Sequence, residues 1–274
     1  VVIEPIVRLA LQEDLGAAGD LTGEAIIDVN ARGRWALRAR QSGVVAGLDA
    51  ASLAARLVDC AILLNIHKVD GEGVAAGQTI AEIEGRVRSV LMAERTMLNF
   101  VGQLSGVATL TRAHVDAVKG LKTKIVCTRK TTPGLRALEK RAVRLGGGGT
   151  HRYGLNDAIL IKDNHIAAAG GVGSAIARAR AYAGHLTAIE IEVDTLAQLE
   201  EAIPYAPSAI LLDNFSLADM GTAVARMGGK IPLEASGGVS LENVRAIAET
   251  GVDVISVGAL THSAPALDIG LDAL

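Results

Sequence analysis

Residues 188–258 hold four short apolar runs: Ala188-Ile189-Glu190-Ile191-Glu192-Val193-Asp194, Ala209-Ile210-Leu211-Leu212-Asp213-Asn214, Ile231-Pro232-Leu233-Glu234-Ala235-Ser236-Gly237-Gly238 and Val252-Asp253-Val254-Ile255-Ser256-Val257-Gly258. Each closes on a polar or glycine residue, and the closing positions Glu192, Asp213, Ser236 and Gly258 fall 21, 23 and 22 residues apart. Amphipathic segments fill the gaps. Thr195, Ser216 and Ser240 are their expected N-caps, because a hydroxyl there can accept from the first free N–H groups of a helix. A beat of this length is short for a strand–helix unit but sufficient. Repeated, it predicts a parallel sheet, either open or closed into a barrel.

Working upstream, Lys124–Cys127 and Ala158–Ile161 read as two more buried strands, six in all. They too run apolar and then turn polar, at Thr128-Arg129-Lys130 and Lys162-Asp163-Asn164. Strand C-termini form the active face of a βα barrel, so functional groups at one end of six strands point to a site there. The chain before residue 105 is less regular. Glu4–Glu13 and Ala50–Asp59 have helical spacing, while Gly33–Gln41, Ile62–Val69 and Thr79–Glu84 read as strands of an α+β domain. A helical run from Val90 through Val107 is expected to bridge the two parts.

The chain has 274 residues, 50% of them hydrophobic, and a net charge of −3. That excludes a disordered tail, a collagen-like chain and a broad basic surface for nucleic acid. Two cysteines, Cys60 and Cys127, have neither metal-site spacing nor the density of an oxidised scaffold, so a reduced, cytoplasmic protein is expected. No stretch approaches a membrane span. Val1–Pro5 lacks the regions of a signal peptide, and the absence of a Met at the start leaves two readings open, a few residues missing or a few processed away.

Positive charge is concentrated locally. Arg136, Lys140, Arg141 and Arg144 have i,i+4 spacing and read as the solvated face of a helix. Arg129, Lys130, Arg152 and Lys162 lie at strand ends or beside Gly146-Gly147-Gly148-Gly149, where anion binding is the expectation, because Arg matches carboxylate and phosphate with two parallel donors. The Ser236-Gly237-Gly238 and Gly258-Ala259 loops suit a phosphate on adjacent late strands, though tight strand-to-helix turns would look the same. Glu192 and Asp213, on neighbouring strand ends, suggest Mg²⁺ carried in by a polyphosphate, or counter-charges to the buried cations. Gly71-Glu72-Gly73 loosely fits a dinucleotide fingerprint but precedes a strand, so it reads as a turn. His114 and His165 show no ligand spacing.

Seven motifs then carry a resemblance over essentially the whole chain. They are Glu13-Asp14-Leu15-Gly16 with Gly19-Asp20-Leu21-Thr22, Ala93-Glu94-Arg95-Thr96-Met97-Leu98-Asn99, and Thr128-Arg129-Lys130-Thr131-Thr132-Pro133-Gly134-Leu135-Arg136. Gly148-Gly149-Thr150-His151-Arg152, Ile161-Lys162-Asp163-Asn164-His165, Leu212-Asp213-Asn214-Phe215 and Ser236-Gly237-Gly238-Val239 complete the set. In this order they resemble the quinolinate phosphoribosyltransferases. The resemblance implies an α/β protein with an N-terminal α/β sandwich domain (1–105) and a C-terminal incomplete, seven-stranded parallel α/β barrel (106–274), whose last residues pack back on the first domain. A seventh strand is then expected near the glycine loop.

The resemblance also implies transfer of the phosphoribosyl group of phosphoribosyl pyrophosphate (PRPP) to quinolinate, with loss of pyrophosphate and CO₂. It implies Mg²⁺ and a homodimer in which the partner supplies Arg95. Arg95, Arg129, His151, Arg152 and Lys162 would hold quinolinate. Thr128, Lys130, Ser236, Gly237, Gly238, Gly258, Ala259 and His262 would hold PRPP. Lys130, Glu192 and Asp213 would serve the reaction itself, the last two facing the ribose and Mg²⁺. A paralogue with altered chemistry and a non-catalytic phosphometabolite sensor are the alternatives. The full set of cations speaks against the first, and retention of Glu192 and Asp213 against the second.

Overall fold

A computed structural model describes residues 3–274, leaving Val1 and Val2, and the reading of the start that included them, outside it. The chain first lays down strands β1 (Arg32–Ala39), β2 (Gly43–Val44), β3 (Leu63–Ile66), β4 (Gly73–Val74) and β5 (Thr79–Arg86). Then come β6 (Lys124–Cys127), β7 (Gly149–Thr150), β8 (Ile159–Ile161), β9 (Ile189–Val193), β10 (Ala209–Asp213), β11 (Leu233–Ser236) and β12 (Val254–Ser256), and finally β13 (Ile269–Ala273). Two compact units result. One contains the residues up to Arg112 with Thr131–Gly147 and Thr261–Leu274, and the other contains Ala113–Lys130 and Gly148–Leu260. Among the described residues no helix is long and apolar enough to cross a membrane.

In the first unit an antiparallel sheet runs β13-β1-β5-β3, with β2 and β4 as a separate pair. Leu37 of β1 and Ile80 and Ile83 of β5 are buried in it; Gly33–Gln41 forms a strand as its pattern predicts, but Trp35, Ala36 and Leu37 are all buried, so burial does not alternate there. The long helix Val87–Ala117, which belongs to this unit up to Arg112, buries Val90, Met97, Val101 and Leu104. The C-terminal segment packs on it at Gly106, where an added Cβ would sit far inside contact distance of the Pro265 carbonyl. Leu267 then donates its N–H to the Gly102 carbonyl at 2.9 Å, and the segment continues into β13 beside β1.

The helix Arg136–Leu145 corrects one expectation. Arg141 is exposed and pairs with Asp49 and, at 3.2 Å, with Asp70, but Lys140 is only 2% exposed. The helix buries Leu138, Glu139, Ala142 and Val143, and position 140 sits on the border of that stripe and is drawn under it.

The second unit is a parallel sheet of seven strands in the order β7-β6-β12-β11-β10-β9-β8. The seventh strand is β7, two residues at the end of the glycine run, too short to leave an apolar pattern. Two boundaries move. The third of the quoted runs pairs as Leu233–Ser236, because Asp213 lies opposite Ser236, and the fourth as Val254–Ser256. The hydroxyls of Thr195 and Ser216 accept from Gln198 and Asp219 N–H, as N-caps do. Ser240 does not cap in this way: a turn intervenes, the helix begins at Val244, and Ser240 contributes its carbonyl to the Val244 N–H.

Candidate active site

Strand β9 shows how the site is built. Ile189, Ile191 and Val193 are buried on one side, while Glu190 and Glu192, half-buried, face the other. The register extends that second face: Leu211 lies opposite both Glu192 and Glu234, and Asp213 lies opposite Ser236. Glu190, Glu192, Asp213, Glu234 and Ser236 therefore share one face of the sheet, by the two-residue period of a strand. Five steps of strand order separate β9 from β7, yet His151, just after β7, places Nε2 2.8 Å from Glu190. The sheet must curl for that contact to form, so this face is the inside of an incomplete barrel.

Three groups occupy it. The innermost is His151 with Glu190 and, at 3.7 Å, Glu234. Burial, then the charge on Glu190, pushes the Glu234 carboxyl up to about 7, and its Oε1 has no hydrogen-bond partner. For the imidazole, burial works downward, but the Glu190 bond and the Glu234 charge outweigh it and the pKa is raised. The Arg152 N–H meets Nδ1 at 2.7 Å. These three side chains could also accept a metal ion, their ligand atoms lying within 4.8 Å of one another.

The second group is cationic. Arg152 donates to the Ala158 carbonyl at 3.2 Å, and its pKa is lowered by burial and then by the nearby charge of Arg129. The Nε of Arg129 is buried without a hydrogen-bond partner. Lys162 pairs with Glu192, and its main-chain N–H donates to His165 Nδ1 at 2.9 Å. His165 is thus a helix-capping residue, and the unassigned histidine has a structural place.

The third group is the rim of strand-end loops. Gly237 has φ +94°, and a Cβ there would run into the Asn214 side chain, so only glycine fits. Asn214 itself sits at φ +54°, donates Nδ2–H to Asp213 at 2.8 Å, and has its main-chain N–H on the Ser236 carbonyl. The Thr128 hydroxyl accepts the Lys130 N–H at 3.0 Å, and Lys130 is exposed. Gly258 and Ala259 follow β12 in the same unit.

Arg95 and His262 belong to the first unit. Arg95 is exposed and lines a cavity of about 780 Å³ with Glu13, Asp14, Asn99 and Asp268. His262 is exposed beside Ser263. Glu190 and Glu234 carry no role in the sequence reading. The strand parity was the available signal, since each stands two residues before a residue that was chosen, Glu192 and Ser236.

Two family models cover most of the chain: the quinolinate phosphoribosyl transferase N-terminal domain over residues 20–105, and the C-terminal domain over residues 107–272. The chain belongs to the quinolinate phosphoribosyltransferase family. It is 47% identical to the nicotinate-nucleotide pyrophosphorylase (carboxylating) of Mycobacterium leprae, over 97% of this chain and 95% of that protein. It is 43% identical to the probable enzyme of the same name from Bacillus subtilis, over 95% and 89%. The solved nicotinate-nucleotide pyrophosphorylase of Francisella tularensis superposes with a TM-score of 0.96 at 40% identity, covering 100% of this chain and 96% of that one. Family members therefore share the antiparallel sheet domain and the incomplete parallel barrel.

Proposed function

We propose that this chain joins quinolinate to PRPP with loss of pyrophosphate and CO₂, giving nicotinate mononucleotide. It is a carboxylating nicotinate-nucleotide pyrophosphorylase of NAD biosynthesis. The observation that supports the substrate assignment best is the Arg129–Arg152 pair: two guanidiniums near enough to repel, one with a buried N–H left without an acceptor. Leaving such a donor unpaired costs about 1–3 kcal/mol, which an anionic substrate offsets on arrival. Arg129, Arg152 and Lys162 form the quinolinate end, with His151 bonded to the Arg152 main chain beside them. Thr128, Lys130, Ser236–Gly238, Gly258, Ala259 and His262 form the phosphate end.

Both substrates are anions, so the first task of the chain is to bring like charges together. Lys162, paired with Glu192, can exchange that partner for a carboxylate of quinolinate. The freed Glu192 then faces the ribose, where positive charge develops as the pyridine nitrogen bonds to the anomeric carbon and pyrophosphate departs. Positioning and charge complementarity carry this step, and no side chain is required as a general base. Decarboxylation follows once the ring nitrogen is quaternary: the C–CO₂ bond breaks, its electron pair stays on the ring carbon beside the cationic nitrogen, which stabilises it, and that carbon then takes a proton from water.

Glu192 and Asp213 each keep one carboxylate oxygen outside their contacts with Lys162 and Asn214, which suits a hard cation that retains its water. Mg²⁺ held there would neutralise the leaving pyrophosphate. Arg95 would come from a second copy in a homodimer, consistent with its exposed place on the cavity of the first unit. Titration calorimetry tests the substrate assignment. Quinolinate should bind at least about tenfold tighter than nicotinate, which lacks the second carboxylate, and equal affinities would contradict it.

A further inference from the structure

The carboxylates of Glu190 and Glu234 have no part in the chemistry above, yet both lie under the quinolinate end of the site. We propose that Glu190 and Glu234 are positioning residues that act through His151, clamping its ring from inside the barrel so that His151 fixes the main chain of Arg152.

The geometry runs in a line. Nδ1 of His151 accepts the Arg152 N–H at 2.7 Å, and Nε2 donates to Glu190 at 2.8 Å. With both nitrogens engaged inside the unit, the ring acts as a strut between the sheet floor and the arginine. Glu234, 6% exposed, stands 3.7 Å from the same Nε2 and also lies beside Glu190 and Ser256. Glu190 is the nearer carboxylate to the ring, at 2.8 Å against 3.7 Å, and Glu234 closes the space behind it.

This inference rests on the reading that Arg152 and its neighbours hold quinolinate. Steady-state kinetics of the full-length dimer separate the two. Glu190→Gln removes the charge and Glu234→Ala removes the wall. Each should raise the quinolinate KM at least about fivefold while the PRPP KM stays within about twofold. Glu234→Gln, which keeps the size and shape of the wall, should keep both KM values within about twofold of wild type. Should Glu190→Gln fail to fold, Glu190→Asp and the Glu234 pair carry the same comparison. Folded variants with an unchanged quinolinate KM would overturn the clamp while leaving the substrate assignment intact. An equal rise in both KM values would also overturn it, because it would mean general loosening. Wild-type enzyme with no quinolinate saturation would instead overturn the substrate assignment, and the clamp with it.

Discussion

At the scale of the residue, charge is managed by burial. The charge of Arg129 acts on Arg152, and the buried Nε of Arg129 has no hydrogen-bond partner, which under the proposed function a dianionic substrate would satisfy. Arg129→Ala or Arg152→Ala should raise the quinolinate KM and lower kcat by at least about tenfold in steady-state assays, and unchanged kinetics in both would contradict the assignment. Glu234 supplies a separate, thermodynamic signature. Its carboxyl ionises ordinarily near 4.5 and in the fold near 7, because burial penalises the charged form and Glu190 adds to the penalty. Between those values the native state keeps a proton that the unfolded chain has released, so the stabilisation is complete below the lower value and is lost as pH rises through the upper one. Glu234→Gln cannot ionise. Denaturant unfolding at about pH 5 and about pH 8 should therefore show the variant gaining on wild type at the higher pH, by on the order of 3 kcal/mol. Parallel pH dependences would contradict a neutral Glu234. The sequence placed Glu192 and Asp213 correctly on adjacent strand ends but passed over Glu190 and Glu234. Their role depends on His151 reaching across a curled sheet, and no local pattern encodes that crossing.

At the scale of the element, the loop after β11 shows how tightly backbone and site are joined. Gly237 has a positive φ and no room for a side chain against Asn214, whose neighbour Asp213 is a ribose-facing candidate. Gly237→Ala should lower stability by about 1–3 kcal/mol in thermal unfolding and raise the PRPP KM more than the quinolinate KM. An equal effect on both would remove the loop from the phosphate end. Gly106→Ala in the long helix should destabilise without altering either KM, because the clash is with the Pro265 carbonyl and no candidate site residue is involved. Six of the seven barrel strands were legible because apolar runs between polar ends are a strong signal. β7 was not, since a two-residue strand, the last glycine of the run and Thr150, carries no periodicity. The start of β11 moved for a related reason: Ile231 and Pro232 extend the apolar run, but the ladder with the neighbouring strand begins at Leu233. Lys140 was misjudged because i,i+4 spacing identifies a stripe but not which border residue the stripe covers.

At the scale of the whole molecule, the two units differ in how they were read. The parallel sheet follows from repetition, whereas the antiparallel sheet closes with β13 from the far end of the chain, a pairing that separation in sequence hides. The assignment of Arg95 to a partner's site came from family resemblance alone. It makes a prediction of its own. Mixing inactive Arg95→Ala and Arg129→Ala proteins under subunit exchange should restore roughly a quarter of wild-type activity, because hybrid dimers regenerate one intact site of two. No recovery after verified exchange would place Arg95 in its own subunit's site. The central claim, however, is the reaction. The most direct measurement follows quinolinate loss and CO₂ release together in a mixture of the protein, quinolinate, PRPP and Mg²⁺. Stoichiometric loss of both, with nicotinate failing as a substitute, is the predicted result. Nicotinate turning over as readily as quinolinate, or no CO₂ from a dimeric sample, would contradict it.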